Sequence, residues 1–200
     1  MQVYRELPIP RLPRYVAVGT FDGVHLGHQR LLRTLVKEAA AVGYESLVLT
    51  FHPHPRAVVG TEPPKLLLPL ERRIELLASL DVQAVLVIPF DQRFSQLSAE
   101  RFVREILVEH LVTRAVFVGF NFRFGRQGSG DVQELRRLGT RFGFQVREFP
   151  PVKVGPEVVS STRIRRLVRQ GRVAAAAQLL GRPYRLTGQV VRGEGRGRRL

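Results

Sequence analysis

The chain contains no cysteine. That excludes a disulfide framework and any zinc site built on thiolates, and it fits a cytoplasmic protein. No stretch approaches the ~18 uninterrupted apolar residues that a membrane-spanning helix needs. The opening residues, MQVYRELPIPRLPR, lack the continuous apolar core of a secretory signal. Lysine is nearly missing too: of 32 Lys and Arg residues, only Lys37, Lys65 and Lys153 are lysines. The formal net charge of +15 is therefore carried by arginines, scattered except at 163–172 and 192–199. Such a skew resembles base-composition bias more than a phosphate-tracking surface. Nucleic-acid binding is not expected; attraction of small phosphorylated anions is.

What is present is enough for one core. Two hundred residues with 44% apolar content can bury a full α/β domain and leave a small remainder. The most informative stretch is VAVGTFDGVHLGHQRLL, residues 16–32. An apolar run reads as a buried strand and breaks at Gly19. A tight loop with Gly23 and Gly27 then delivers His25 and His28. Leu31, Leu32, Leu35, Val36, Ala39 and Ala40 follow at helical spacing. A strand, a glycine-bearing loop and a helix N-terminus together form an anion site, because free N–H groups and the positive dipole end face it. Two imidazoles there can stabilise charge that develops in phosphoryl or nucleotidyl transfer. An H-x-G-H pattern alone also occurs in ordinary surface loops.

Strand and helix patterns alternate along the rest of the chain. Strands are expected at 14–19, 46–51, 84–89, 115–119 and 145–149, and helices at 28–42, 70–80, 98–110, 131–142 and 162–169. A short apolar helix ending at Gly181 follows. This order implies a doubly wound, mostly parallel sheet with its ligands at the carboxyl ends of the strands. The segments rich in chemistry fall at that edge.

Three of them accompany the histidine loop. Thr50 to Pro55 reads TFHPHP, where two prolines stiffen a turn that is otherwise only a connector. Its histidines lack the nearby carboxylate or third ligand that a metal site needs. VGFNFRFG, ending at Gly125, places three phenylalanines around Asn121 and Arg123. Those rings either anchor the loop in the core or present a planar apolar face to a ligand. Ser160, Ser161, Thr162, Arg163 and Arg165 open a helix. The hydroxyls there are either caps or part of a site for a triphosphate tail.

Taken together, GTFDGVHLGH, TFHPHP, VGFNFRFGRQGSGD and SSTRIRRLV…GRVAAAAQLLGRPY resemble the FMN adenylyltransferase module of the bacterial bifunctional riboflavin kinase/FAD synthetase family. The matches run in family order over residues 16–184. H-x-G-H also occurs in class I aminoacyl-tRNA synthetases, but their KMSK-type loop is missing here. The resemblance implies a Rossmann-like nucleotidylyltransferase fold over residues 1–183. It also implies that 184–200 is the first strand and loop of a truncated riboflavin kinase domain, so kinase activity is not expected from these residues.

The resemblance further implies that FMN and ATP are substrates and that Mg2+ is carried by the ATP phosphates, with no protein metal ligand assigned. His25, His28 and Arg165 would be catalytic. Gly19, Phe21, Asp22, Gly23, Ser161 and Thr162 would join them in binding ATP. Pro53, His54, Pro55, Asn121 and Phe124 would border the flavin. Another H-x-G-H cofactor nucleotidylyltransferase is the alternative. No nucleic-acid or membrane partner is expected, and oligomeric state is not legible in the sequence.

Overall fold

The computed structural model describes residues 1–60, 63–186, 188, 189 and 191. The chain opens with β1 (Gln2–Tyr4), β2 (Arg14–Val18), α1 (Leu26–Ala41) and β3 (Glu45–His52). Next come α2 (Pro55–Val59), α3 (Leu70–Ala78), β4 (Ala84–Pro89), α4 (Gln92–Ser95) and α5 (Ala99–Arg101). The helix continues from α5 through Phe102–His110 in a wider form. At its end the Leu111 N–H donates to the Ile106 carbonyl, five residues back, at 3.0 Å. Then follow β5 (Thr113–Gly119), α6 (Val132–Phe142), β6 (Gln145–Phe149), β7 (Lys153–Val154), β8 (Glu157–Val158), α7 (Ser161–Arg169) and α8 (Val173–Leu180).

Six strands form one parallel sheet in the order β1-β4-β3-β2-β5-β6. The central strands are buried on both faces, which is why they read as continuous apolar runs. Their alternate residues supply two cores. Ala17, Val48, Val85 and Phe117 pack under Leu32 and Leu35 of α1, Leu77 of α3 and Ile164 of α7. Val16, Leu47, Leu86 and Val116 pack on the other face, against Val103 and Leu107 of the wide helix and Leu135 of α6. The result is three layers, helices on either side of the sheet.

The topology also locates the site. From β2 the chain moves outward to β3 and β4, then returns to β5 on the opposite side of β2. The loops after β2 and β5 therefore diverge and leave a crevice at their carboxyl ends.

Several boundaries differ from the sequence reading. α1 starts at Leu26, not at 28, because the His25 side chain caps it. The stretch expected as one helix over 98–110 is a single turn of α5 followed by the wider segment. β1, α2, α4 and the β7–β8 hairpin were not expected; each has five residues or fewer. Residues 187, 190 and 192–200, where much of the expected kinase-like strand and loop falls, lie outside the described residues. The described residues from 183 to 191 belong to no helix or strand.

Candidate active site

The loop from Gly19 to His25 is built under tension. Phe21 (φ 49°) and Val24 (φ 38°) hold positive φ without being glycine, and Val24 is β-branched. Such conformations persist only where the surroundings over-determine them. Here they do. Gln29 Nε2 donates to the Val24 carbonyl at 2.9 Å, and Arg182 donates to the Gly23 and Val24 carbonyls at 2.6 and 3.0 Å. The Gly19 N–H is held by the Leu49 carbonyl of β3 at 3.1 Å. A methyl group on Gly19 would meet the Phe21 ring at 3.2 Å, so the glycine makes room for that ring.

His25 ends the loop. Its Nδ1 accepts the His28 backbone N–H at 3.3 Å, which leaves the proton of the neutral ring on Nε2. His28, in the first turn of α1, stacks on His25 with ring centroids 3.6 Å apart. Phe21 meets His28 edge-on at 5.2 Å. Burial lowers the His25 pKa to about 4, against opposing contributions from its backbone hydrogen bond and Asp22. Burial, then His25, then Arg73 push His28 well below the usual imidazole range. Both rings are therefore neutral near pH 7, and each has one N–H to donate. The His28 Nδ1 is buried with no hydrogen-bond partner among the described residues.

The second wall is the N-terminus of α7. Ser160 caps the helix, its Oγ accepting the Arg163 N–H at 3.2 Å. Ser161 Oγ donates to the Asp22 carbonyl at 2.8 Å. Arg165 donates from Nη2 to Asp22 Oδ2 at 2.6 Å and from Nε to the Lys65 carbonyl at 2.9 Å. Two helix N-termini thus converge on one space.

That space is a cavity of about 530 Å³. It brings together Gly19, Phe21, His25, His28, His54, Pro55, Asn121, Ser161, Thr162 and Arg165. Arg56 and Arg123 also line it, and no carboxylate does among the described residues. A wall whose described residues include three guanidiniums and no carboxylate favours anions. His54 caps α2, accepting the Arg56 N–H at 3.2 Å, with Pro55 as the first helical residue. Burial, with Arg165 next, lowers the His54 pKa to about 4.

Four expected residues are not on that wall. Asp22 is 1% exposed and faces inward, onto the backbone of residues 67 and 68. Gly23 (φ +83°) lies against Leu67, whose Cδ1 would be 2.7 Å from an added Cβ. Pro53 is exposed outside the lining. Phe124 is buried, stacked on Phe122 and tilted against Phe102. It lines instead a second, aromatic cavity of about 910 Å³ with Phe51, Phe90, Phe94, Phe102 and Phe122. The two cavities share Val18, Phe51, Pro55, Arg56, Phe122 and Arg123.

Two residues left open by the sequence also find partners. Arg163 pairs with Glu157 of β8, and Arg123 lies 3.6 Å from Asp131. Arg73 and Arg182 were missed altogether. Arg73 is 2% exposed beneath the loop and donates to the Thr20 carbonyl. No local pattern distinguishes either arginine from its many surface neighbours.

A family model described as FAD synthetase matches residues 10–163, which include both histidines and the aromatic loop. The chain belongs to the FAD synthetase family. Family relatives include the bifunctional riboflavin kinase/FMN adenylyltransferases of Listeria monocytogenes and Escherichia coli K12. The first is 37% identical over 94% of this chain and 60% of its own length. The second is 35% identical over 92% and 59%. The chain thus spans about 60% of the length of these relatives. Among solved structures, a Streptococcus pneumoniae chain described as a macrolide-efflux protein superposes with a TM-score of 0.82. It is 30% identical, with 96% of this chain and 62% of that one covered. Pantothenate synthetase from Thermus thermophilus shares the fold, with a TM-score of 0.52 at 17% identity over 90% of this chain and 81% of that one. Among the described residues no helix is long and apolar enough to cross a membrane.

Proposed function

We propose that this chain transfers the adenylyl group of ATP to FMN, releasing pyrophosphate and forming FAD. The observation that carries the reading is the stacked His25–His28 pair, set between two helix N-termini and Arg165 in a cavity with no carboxylate among its described lining residues. A phosphate oxygen of FMN forms a bond to the α-phosphorus of ATP. The bond from that phosphorus to the β-bridging oxygen breaks, and its electron pair leaves with pyrophosphate. The nucleophile is already an anion, so no general base is required. The chain's work is to bring two polyanions together and to hold the charge that builds on the α- and β-phosphate oxygens.

His25 and His28 serve as neutral donors in this scheme, next to the free N–H groups of α1. Ser161, Thr162 and Arg165 hold the β- and γ-phosphate oxygens that become pyrophosphate. Gly19 and Phe21 border the nucleotide. The aromatic cavity takes the isoalloxazine ring, with Phe124, Phe122 and Pro55 against it, and Asn121, beside the shared Phe122, borders it from the first cavity. Asp22, Gly23 and Pro53 then shape the site from behind.

Magnesium does not fit as a metal held by the described residues of this wall, which offer hydroxyls and an amide but no carboxylate. It enters with ATP as part of the substrate. Riboflavin phosphorylation is not assigned to these residues, and no nucleic-acid partner is. The reaction is placed in the cytoplasm, which the lack of cysteine fits.

The test is to incubate the protein with MgATP and a panel of acceptors: FMN, riboflavin, nicotinamide mononucleotide and phosphopantetheine. Chromatography should find FAD, formed from FMN alone. A dinucleotide made from another acceptor, with none from FMN, would move the chain to a different cofactor transferase.

A further inference from the structure

Asp22 carries more contacts than a residue lining a pocket needs. Its carboxylate is buried, and both oxygens are taken. Oδ1 accepts the N–H groups of Leu67 and Leu68 at 3.0 and 3.2 Å. Oδ2 accepts Leu67 N–H at 3.1 Å and Arg165 Nη2 at 2.6 Å. Its main-chain carbonyl accepts the Ser161 hydroxyl at 2.8 Å. One residue of the histidine loop therefore fixes two residues of the α7 wall and the segment that passes behind them.

The guanidinium of Arg165 is held at two corners. Nε is spent on the Lys65 carbonyl and one Nη2 hydrogen on Asp22, while Nη1 has no hydrogen bond among the described residues. Arg165 lines the cavity, and its side chain is 17% exposed. A flexible arginine would give up side-chain entropy on meeting a phosphate; one already clamped has less to lose.

We infer that Asp22 is a positioning residue that clamps Arg165 so that its free N–H groups face the phosphate chain of the nucleotide. The inference rests on the reading of this cavity as a nucleotide phosphate site. It makes Asp22 the link by which the histidine loop and the α7 wall keep a fixed spacing across that site. Asp22 touches neither substrate.

Asp22→Asn separates this role from a merely structural one. The amide oxygen can still accept from Leu67 and Leu68, whereas an NH2 facing Arg165 removes the clamp. Inorganic tripolyphosphate, titrated by calorimetry, reports the phosphate wall without chemistry. Asp22→Asn should weaken it roughly 10-fold, the scale of one charge-assisted hydrogen bond. It should raise the KM for MgATP by a similar factor and leave FMN affinity unchanged. In an Arg165→Met background the same substitution should add nothing to the loss, because the clamped group is gone.

Equal tripolyphosphate affinity in wild type and Asp22→Asn overturns the inference. So does a loss that simply adds to that of Arg165→Met. Should Asp22→Asn not fold, Asp22→Glu, which keeps the charge but displaces the carboxylate, takes its place with the same criteria. Wild-type FAD formation is scored separately. If it is absent while tripolyphosphate binding still depends on Asp22 through Arg165, the clamp stands and the assigned reaction falls.

Discussion

At the scale of single residues, the histidine pair carries two predictions, one on the proposed chemistry and one on acid stability. His28→Ala should lower turnover about 10²–10³-fold, the loss typical of one preorganised donor to developing charge. Steady-state assays of a variant with a native melting temperature decide it, and unchanged turnover would remove His28 from the reaction. The same rings make stability depend on pH. His25 has its pKa lowered to about 4 by burial, so in the folded state it stays neutral where an unfolded histidine takes up a proton. Above pH 6.5 the ring is neutral in both states and costs nothing. As the pH falls from 6.5 to 4 the unfolded chain gains protons and stability is lost, by about 3 kcal/mol at most for this ring. His28 and His54, also lowered, act in the same direction. Urea unfolding at pH 6.5 and 4.5 should show that loss, and it should be smaller in His25→Gln. An identical loss in both would contradict it.

Residue identity was readable where backbone demands were local and obscure where tertiary packing decided. H-x-G-H after an apolar strand gave away the loop and its helix. Asp22 looked like part of a ligand wall because sequence cannot say which way a loop carboxylate turns. Its true partners, Leu67, Leu68 and Arg165, lie more than forty residues away. Phe124, expected beside the flavin, lines not the histidine cavity but the aromatic one proposed for that ring, and it closes its own loop by pairing with Gly130.

At the scale of elements, the closure of the loop from 119 to 131 can be tested at Gly125. Gly125 holds φ 72° and ψ 178°, a region open essentially to glycine alone. An added Cβ would also lie 2.7 Å from the Ala99 backbone nitrogen, at the start of α5. Gly125→Ala should therefore cost about 3 kcal/mol or more, read from the urea midpoint. A loss below about 1 kcal/mol would mean that the loop has another way to close. Asn121, on the same loop, lines the first cavity next to Phe122 and Arg123, which both cavities share. Asn121→Ala should weaken FMN binding more than ATP binding in calorimetric titrations, and the reverse order would exchange the two cavities.

The long elements were legible because their apolar periods were long. β4 and β6 fall at the residues expected, and α6 within one residue. β1 was not, since three residues before a run of prolines carry no period; only pairing with β4 makes them a strand. The change of helical form after Arg101 was also hidden. Phe102, Val103, Ile106 and Leu107 suit either form, and packing against the sheet chooses.

At the scale of the whole molecule, the strand order does what no single motif does. Placing β5 beside β2 opens a crevice at the one point where two loops part, and both cavities sit there. The alternation of strands and helices made a doubly wound sheet legible. The strand order was not, because it depends on which apolar faces find each other. Three of the many arginines, Arg56, Arg123 and Arg165, line the first cavity at the same crevice, where the described residues include no carboxylate.

In the proposed reaction the new bond is made to the α-phosphorus of ATP. Parallel reactions with FMN and either α-labelled or γ-labelled ATP test it directly. The α-label should appear in the flavin product, and the γ-label only in pyrophosphate. A γ-label on the flavin, or an α-label that never leaves the adenine nucleotide pool, would contradict it.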